Sequence, residues 1–161
     1  MKIRLMALTL TLLFSAGCVS AQEQQGEAHA IVALPDGIEW AQGPPSLPPG
    51  AEFAVLEGDP AEEGPFTMRL WMPDGYRIPP HVHPVDERVT VISGTFAVGM
   101  GEEFDVSEAI DLPAGTYAAL APNTPHFAIA RGETVIQLNN IGPWSINYVN
   151  PEDDPRNGRE D

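Results

Sequence analysis

From residue 51 to residue 150 the chain alternates apolar and polar positions over short runs, and glycine or proline breaks the pattern about every ten residues. "AEFAVLEG" (51–58) and "PFTMRLWMP" (65–73) read as strands, with the turn "GDPAEEG" (58–64) between them and Asp74-Gly75 turning the chain afterwards. "ERVTVISGTFAVGMG" (87–101) reads as two strands joined by a tight Ser93-Gly94 turn. "EEFDVSEAIDLPAG" (102–115) is a looser acidic connection. "TYAALA" (116–121), "HFAIARG" (126–132), "ETVIQLNNIG" (133–142) and "WSINYVN" (144–150) complete a series of short strands. "GPPSLPPG" (43–50) carries four prolines and suits neither a helix interior nor a central strand. No stretch keeps a helical period, so the pattern predicts an all-β sandwich or barrel.

Outside that region the pattern changes. Lys2 and Arg4 precede a largely apolar run from Leu5 to Phe14, followed by the small-residue stretch "SAGCVSA". This reads as a secretory signal peptide over residues 1–21, too short to span a bilayer as a mature helix. Two processing routes compete: cleavage before Gln22, which gives a soluble periplasmic or extracellular protein, and a lipoprotein box that would anchor the chain through Cys18. Residues 22–34 are small and polar and read as a flexible linker, with His29 solvated. The domain is expected over 35–150, and the charged tail 151–161 is expected to fray.

Charge and composition narrow the chemistry. The net charge is −15, and loss of Lys2 and Arg4 with residues 1–21 takes it to −17. Such a surface argues against nucleic acid and anionic lipid as partners. The single cysteine, Cys18, excludes an intramolecular disulfide. No lysine follows Lys2, so a mature Schiff-base lysine is excluded, and no serine lies in a nucleophile-elbow context. The remaining route to reactivity is a bound metal or a set of Asp, Glu and His acid–base groups.

"GYRIPPHVHPVDERVTVISG" (75–94) supplies such a set. Residues two apart in a strand face the same side, so His81 and His83 project together, with Val82 opposite. Glu87 keeps that parity, as do Val89 and Val91, which places imidazoles and a carboxylate on an apolar inner face. Their burial is costly unless a partner satisfies them, and a divalent first-row metal does so. "GTYAALAPNTPHFAIA" (115–130) offers His126 as a fourth ligand, delivered by a Pro-Asn-x-Pro turn in which Asn123 tolerates a left-handed conformation. Arg69 and Arg77 are open to two readings, holding a substrate carboxylate at a barrel mouth or pairing with surface acids. Gln137 is open to a supporting role behind a ligand or a structural one. Tyr117, Phe96, Phe127 and Trp144 read as core residues, some of them facing a pocket.

The spacing Gly75, His81, His83, Glu87, Gly94 resembles the first cupin motif at every fixed position, and Gly115 with His126 resembles the second. In the second, Ala121, Asn123 and Ala130 replace the usual proline, glycine and asparagine. The looser likeness extends from about Leu34 to the tail and includes "GPWSINYVNPEDDPR" (142–156). The resemblance implies a single jelly-roll β-barrel with a metal site at one end. The ligands it carries over are His81, His83, Glu87 and His126, and the metal is Fe, Mn, Ni, Cu or Zn. It implies a small-molecule substrate or ligand and admits a homodimer. The expected activity is that of a metal-dependent, oxygenase-like enzyme with Glu87 as the proton-transfer group. A non-redox isomerase or lyase, or a binding and sensing module without turnover, are the alternatives.

Overall fold

The computed structural model describes residues 30–157 of the chain. The readings that fall on residues 1–29, namely the signal peptide, Cys18 and a solvated His29, lie outside the described residues. The fold belongs to the unit that begins at Ile31. Nine strands form it: β1 (Ala41–Gln42), β2 (Glu52–Glu57), β3 (Gly64–Met72), β4 (Arg77–Val82), β5 (Glu87–Met100), β6 (Ile110–Pro113), β7 (Tyr117–Leu120), β8 (His126–Gly142) and β9 (Asn147–Tyr148). Among the described residues, helical structure is limited to three 3-10 turns, at Pro35–Gly37, Val106–Glu108 and Pro151–Asp153. The described domain is therefore all-β, as the alternation predicts, and takes the form of a single curled barrel.

β8 is the spine. β5 runs antiparallel along one edge, from Met100 opposite His126 to Val89 opposite Leu138. On the other edge the start of β8 pairs with β4 and its end pairs with β3. β2 and β1 continue the sheet beyond β3, β6 and β7 pair with the two halves of β5, and β9 caps β4. Every pairing is antiparallel.

Two expected turns are bends inside long strands. Ser93-Gly94 does not close a hairpin, and residues 126–142 form one strand. Gly94 and Gly132 take left-handed φ values of 74° and 75°, and the β5–β8 register shifts around them while pairing continues. The fully buried Thr134 hydroxyl fastens the bend, lying 3.1 Å from the Thr95 carbonyl and 3.3 Å from the Thr95 N–H. A side chain at Gly94 would run into the Glu133 carbonyl. The bend lets β5 and β8 contribute to both walls of the barrel.

Alternation along β3 sorts its residues by face. Phe66, Leu70 and Met72 are buried and join Val89, Val91, Phe96, Ile136 and Leu138 in the main core. Burial of each such side chain stabilises the fold by roughly 1.5–3 kcal/mol. On the outer face Arg69 Nε donates to Gln137 Oε1 at 3.0 Å, Gln137 Nε2 to Asn139 Oδ1 at 3.2 Å, and Asn139 Nδ2 to Thr67 Oγ1 at 2.9 Å. Arg69 and Gln137 are thus members of an external polar ladder, not a substrate clamp and a ligand support. Arg77 lies over the Phe104 ring, 5.5 Å from its centroid. Phe96 and Phe127 are core, whereas Tyr117 is 61% exposed, because β7 is an edge strand with one open face.

Candidate metal centre

The proline pair before the histidines has a structural consequence. Pro79 and Pro80 carry no N–H, and the β4–β8 ladder is interrupted between Ile78 and His81. Pairing resumes with His81 directly opposite His126. Pro80 uses its carbonyl elsewhere, accepting from the Val149 N–H at 2.9 Å. The Asn123 N–H donates to the His83 carbonyl at 2.8 Å, and Asn123 has a φ of 58°. The turn that delivers His126 is therefore tied to the backbone of His83.

All three imidazoles are buried, at 2–4% exposure. Each Nδ1 meets a backbone carbonyl: His81 with Pro79 at 2.7 Å, His83 with Ser145 at 2.7 Å and His126 with Thr124 at 3.0 Å. A carbonyl only accepts, so each Nδ1 carries the proton and each Nε2 is left for another partner. The three rings offer ligand atoms that all lie within 4.8 Å of one another. Glu87 is buried beside them, with Oε2 at 3.0 Å from His126 Nε2 and 3.7 Å from His83 Nε2. The structure thus gathers the three sequence-predicted histidines into one set and sets the Glu87 carboxylate against two of them.

Burial and then the neighbouring His126 and His83 push His81 down to about 3, and burial is the main cause that lowers His83. Both are neutral near pH 7. Burial also acts against charge on Glu87 and His126, but their mutual hydrogen bond and attraction outweigh it. Glu87 is held below the ordinary carboxylate range and His126 is raised. Glu87 and His126 thus hold each other across a buried contact of 3.0 Å.

These residues fit a divalent cation. His83 Nε2 is buried with no hydrogen-bond partner, a costly arrangement that a Lewis acid would relieve. Fixed Nδ1–H donors are the usual second layer behind metal-binding imidazoles. Sequence reasoning missed that layer because two of the three acceptors are backbone atoms two residues upstream, at Pro79 and Thr124, and the third is the distant Ser145. It also missed Asn140, whose Oδ1 accepts the Arg88 N–H at 2.7 Å and fixes the backbone next to Glu87. Trp144, expected in the core or facing a pocket, lines the cavity. It stacks on His83 with ring centroids 4.2 Å apart and planes 14° apart.

The cluster closes one end of a cavity of about 330 Å³. The wall is largely apolar, formed by residues such as Phe53, Met68, Leu70, Ile136 and Leu138. The proline-rich loop 43–50 supplies Pro44, Ser46 and Leu47. That loop is held by two tyrosines: Tyr148 donates to the Ser46 carbonyl at 2.8 Å, and Tyr76 donates to the Pro48 carbonyl. Burial raises both phenols above their ordinary range, so they stay protonated donors.

A family model described as the ChrR Cupin-like domain matches residues 28–144. No curated protein matches the chain. Among solved structures, the polyketide cyclase RemF from Streptomyces resistomycificus is 12% identical with a TM-score of 0.63, over 80% of this chain and 91% of that one. A candidate acetylacetone dioxygenase from Methylibium petroleiphilum is 20% identical with a TM-score of 0.61, over 81% and 88%. KdgF from Halomonas sp. is 20% identical with a TM-score of 0.52, over 68% and 91%. At these identities the likeness is one of fold.

Proposed function

The chain belongs to the cupin family described as the ChrR Cupin-like domain, and on that footing we propose that it is an exported, metal-dependent, oxygenase-like enzyme acting on a small organic molecule. One observation carries the proposal. Three buried imidazoles, each with its Nδ1–H bonded to a backbone carbonyl, turn their Nε2 atoms toward one point at the end of an apolar cavity. When bound there, a first-row divalent metal supplies Lewis acidity and, if redox-active, the electron exchange that dioxygen chemistry requires. His81, His83 and His126 would hold it, with Glu87 as the fourth group.

The chain's own residues do the rest. The apolar wall holds the substrate and keeps water out, which strengthens electrostatic effects at the histidine end. Glu87 Oε2, charged and beside the cluster, is placed to take a proton from a bound substrate. That same placement suits a non-redox isomerisation or elimination, which is the second reading. The named neighbours do not choose between them, since one is a cyclase and another a candidate dioxygenase.

The test is elemental analysis of untagged protein, followed by oxygen-electrode and product assays against phenols, enols and small ketones. Metal-dependent oxygen uptake with product is expected. Product without oxygen uptake selects the non-redox reading, and saturable binding without product selects a binding module. Protein that neither carries nor takes up metal overturns the proposal. Export is supported by the Lys2 and Arg4 start and the apolar run from Leu5 to Phe14. Mass spectrometry of protein from the native host is expected to show a chain starting at Gln22 or a lipidated Cys18, and an intact Met1 in exported material would exclude both.

A further inference from the structure

Among the described residues, no arginine or lysine lines the cavity. The described arginines are all engaged elsewhere: Arg69 with Gln137, Arg77 over Phe104, Arg88 with Asp86, Arg131 with Asp111 and Arg156 with Asp154. The acids do reach it. Glu87 lies with the histidines, and the exposed Asp59 and Val55 also line the cavity. A carboxylate entering this space would leave water, share the cavity with Asp59, and find no cation other than one already faced by Glu87. Loss of solvation without a compensating partner is strongly unfavourable. A sugar would leave hydroxyls unpaired against Met68, Leu70, Ile136 and Leu138 for the same reason.

Size sets a second limit. An apolar cavity of about 150 Å³ accommodates benzene, so about 330 Å³ suits a compact molecule of roughly a dozen non-hydrogen atoms. We propose that the substrate or ligand is an uncharged, largely apolar molecule of that size, with one or two oxygens at one end to meet the histidine cluster and a hydrocarbon or aromatic body against the wall. This rests on the reading of the cluster as a metal site, and it narrows the substrate class.

A matched pair of probes tests it. 2-Hydroxyacetophenone and salicylate have the same number of non-hydrogen atoms and the same spacing of two oxygens, and differ in charge near pH 7. Each is titrated into metal-loaded and chelator-treated protein, with calorimetry and tryptophan fluorescence as readouts and metal content measured in parallel. The neutral probe is expected to bind the loaded protein at least about tenfold more tightly than salicylate. Val55→Arg, a change at an exposed position on the cavity wall, is expected to narrow that gap by improving salicylate binding. Equal or tighter binding of salicylate to the unmodified protein overturns the proposed class, as does failure of both probes to bind loaded protein. If protein that takes up no metal still binds the neutral probe more tightly than salicylate, the class stands and the metal reading fails.

Discussion

His81 and His126 are held by one device and His83 by another. The first two stand opposite each other across β4 and β8, and each ties its Nδ1 to the carbonyl two residues upstream. Proline directly precedes both, at Pro80 and Pro125, so the local chain is stiff where the rings are aimed. His83 lies beyond the end of β4 and has no such local acceptor. Its Nδ1 reaches Ser145, 62 residues away, and Trp144 covers its ring. Two imidazoles are therefore positioned by their own short segments, and the third depends on the chain after β8. The lesson is that two short sequence motifs can name three ligands while the fold secures them by unequal means.

The largest expected effects come from removing an imidazole. His81→Ala, His83→Ala and His126→Ala are each expected to weaken metal binding more than about 100-fold, beyond the range for loss of a supporting group. Competition with a chromogenic chelator measures it, and His29→Ala serves as the unchanged control. Retained affinity in His126→Ala would remove that residue from the ligand set. In metal-free protein the variants are expected to separate. His126→Ala leaves the Glu87 charge buried without its partner and is expected to cost about 3 kcal/mol in urea denaturation. His83→Ala removes a nitrogen that already lacks a partner and is expected to cost less. Equal losses would contradict the contrast.

That contrast marks what the sequence made legible. Period-two alternation identified most strands, since inward and outward positions of β3 and β8 differ in polarity. The His-x-His spacing and the turn before His126 identified the cluster, because local backbone geometry aims those residues. Strand continuity through Gly94 and Gly132 was not legible, since a glycine at positive φ serves a hairpin turn and a bend equally well. Nor was the Arg69 ladder, whose partners come from a strand that no local pattern pairs with β3. Residues 151–157, expected to fray, instead fold back. Arg156 donates to Asp154 at 2.6 Å and to the Ile146 carbonyl at 3.2 Å. The hold on His83 belongs to that class of long-range contact.

Glu87 leans toward the locally held side, being closer to His126 than to His83. Glu87→Gln keeps the size and removes the charge. Metal is expected to remain bound, whereas turnover is expected to fall at least about 100-fold if the carboxylate moves a proton. A variant with normal metal content and unchanged turnover would remove Glu87 from the mechanism and leave it a purely structural partner of His126.

Trp144→Ala bears on His83 alone. Losing the stacked ring is expected to weaken metal binding about tenfold, the lower end for a group behind a ligand. The decisive measurement is a double-mutant cycle. On a His83→Ala background the Trp144 change is expected to add little further loss, because the ring it supports is gone. Full additivity would show that Trp144 shapes the cavity generally and does not position His83.

The smallest effect is expected farthest along the same segment. Arg156 contacts no imidazole. It pairs with Asp154 and holds the Ile146 carbonyl, one residue beyond the Ser145 carbonyl that orients His83. The Arg156–Asp154 pair is partly open to solvent, where salt screening limits its contribution. Arg156→Ala is therefore expected to weaken metal binding less than about fivefold. The direction still discriminates. If the chain after β8 positions His83, the loss should be measurable at low ionic strength, shrink in high salt, and vanish on a Trp144→Ala background. If residues 151–157 only cover the barrel surface, Arg156→Ala should lower thermal stability slightly and leave metal affinity unchanged at every salt concentration.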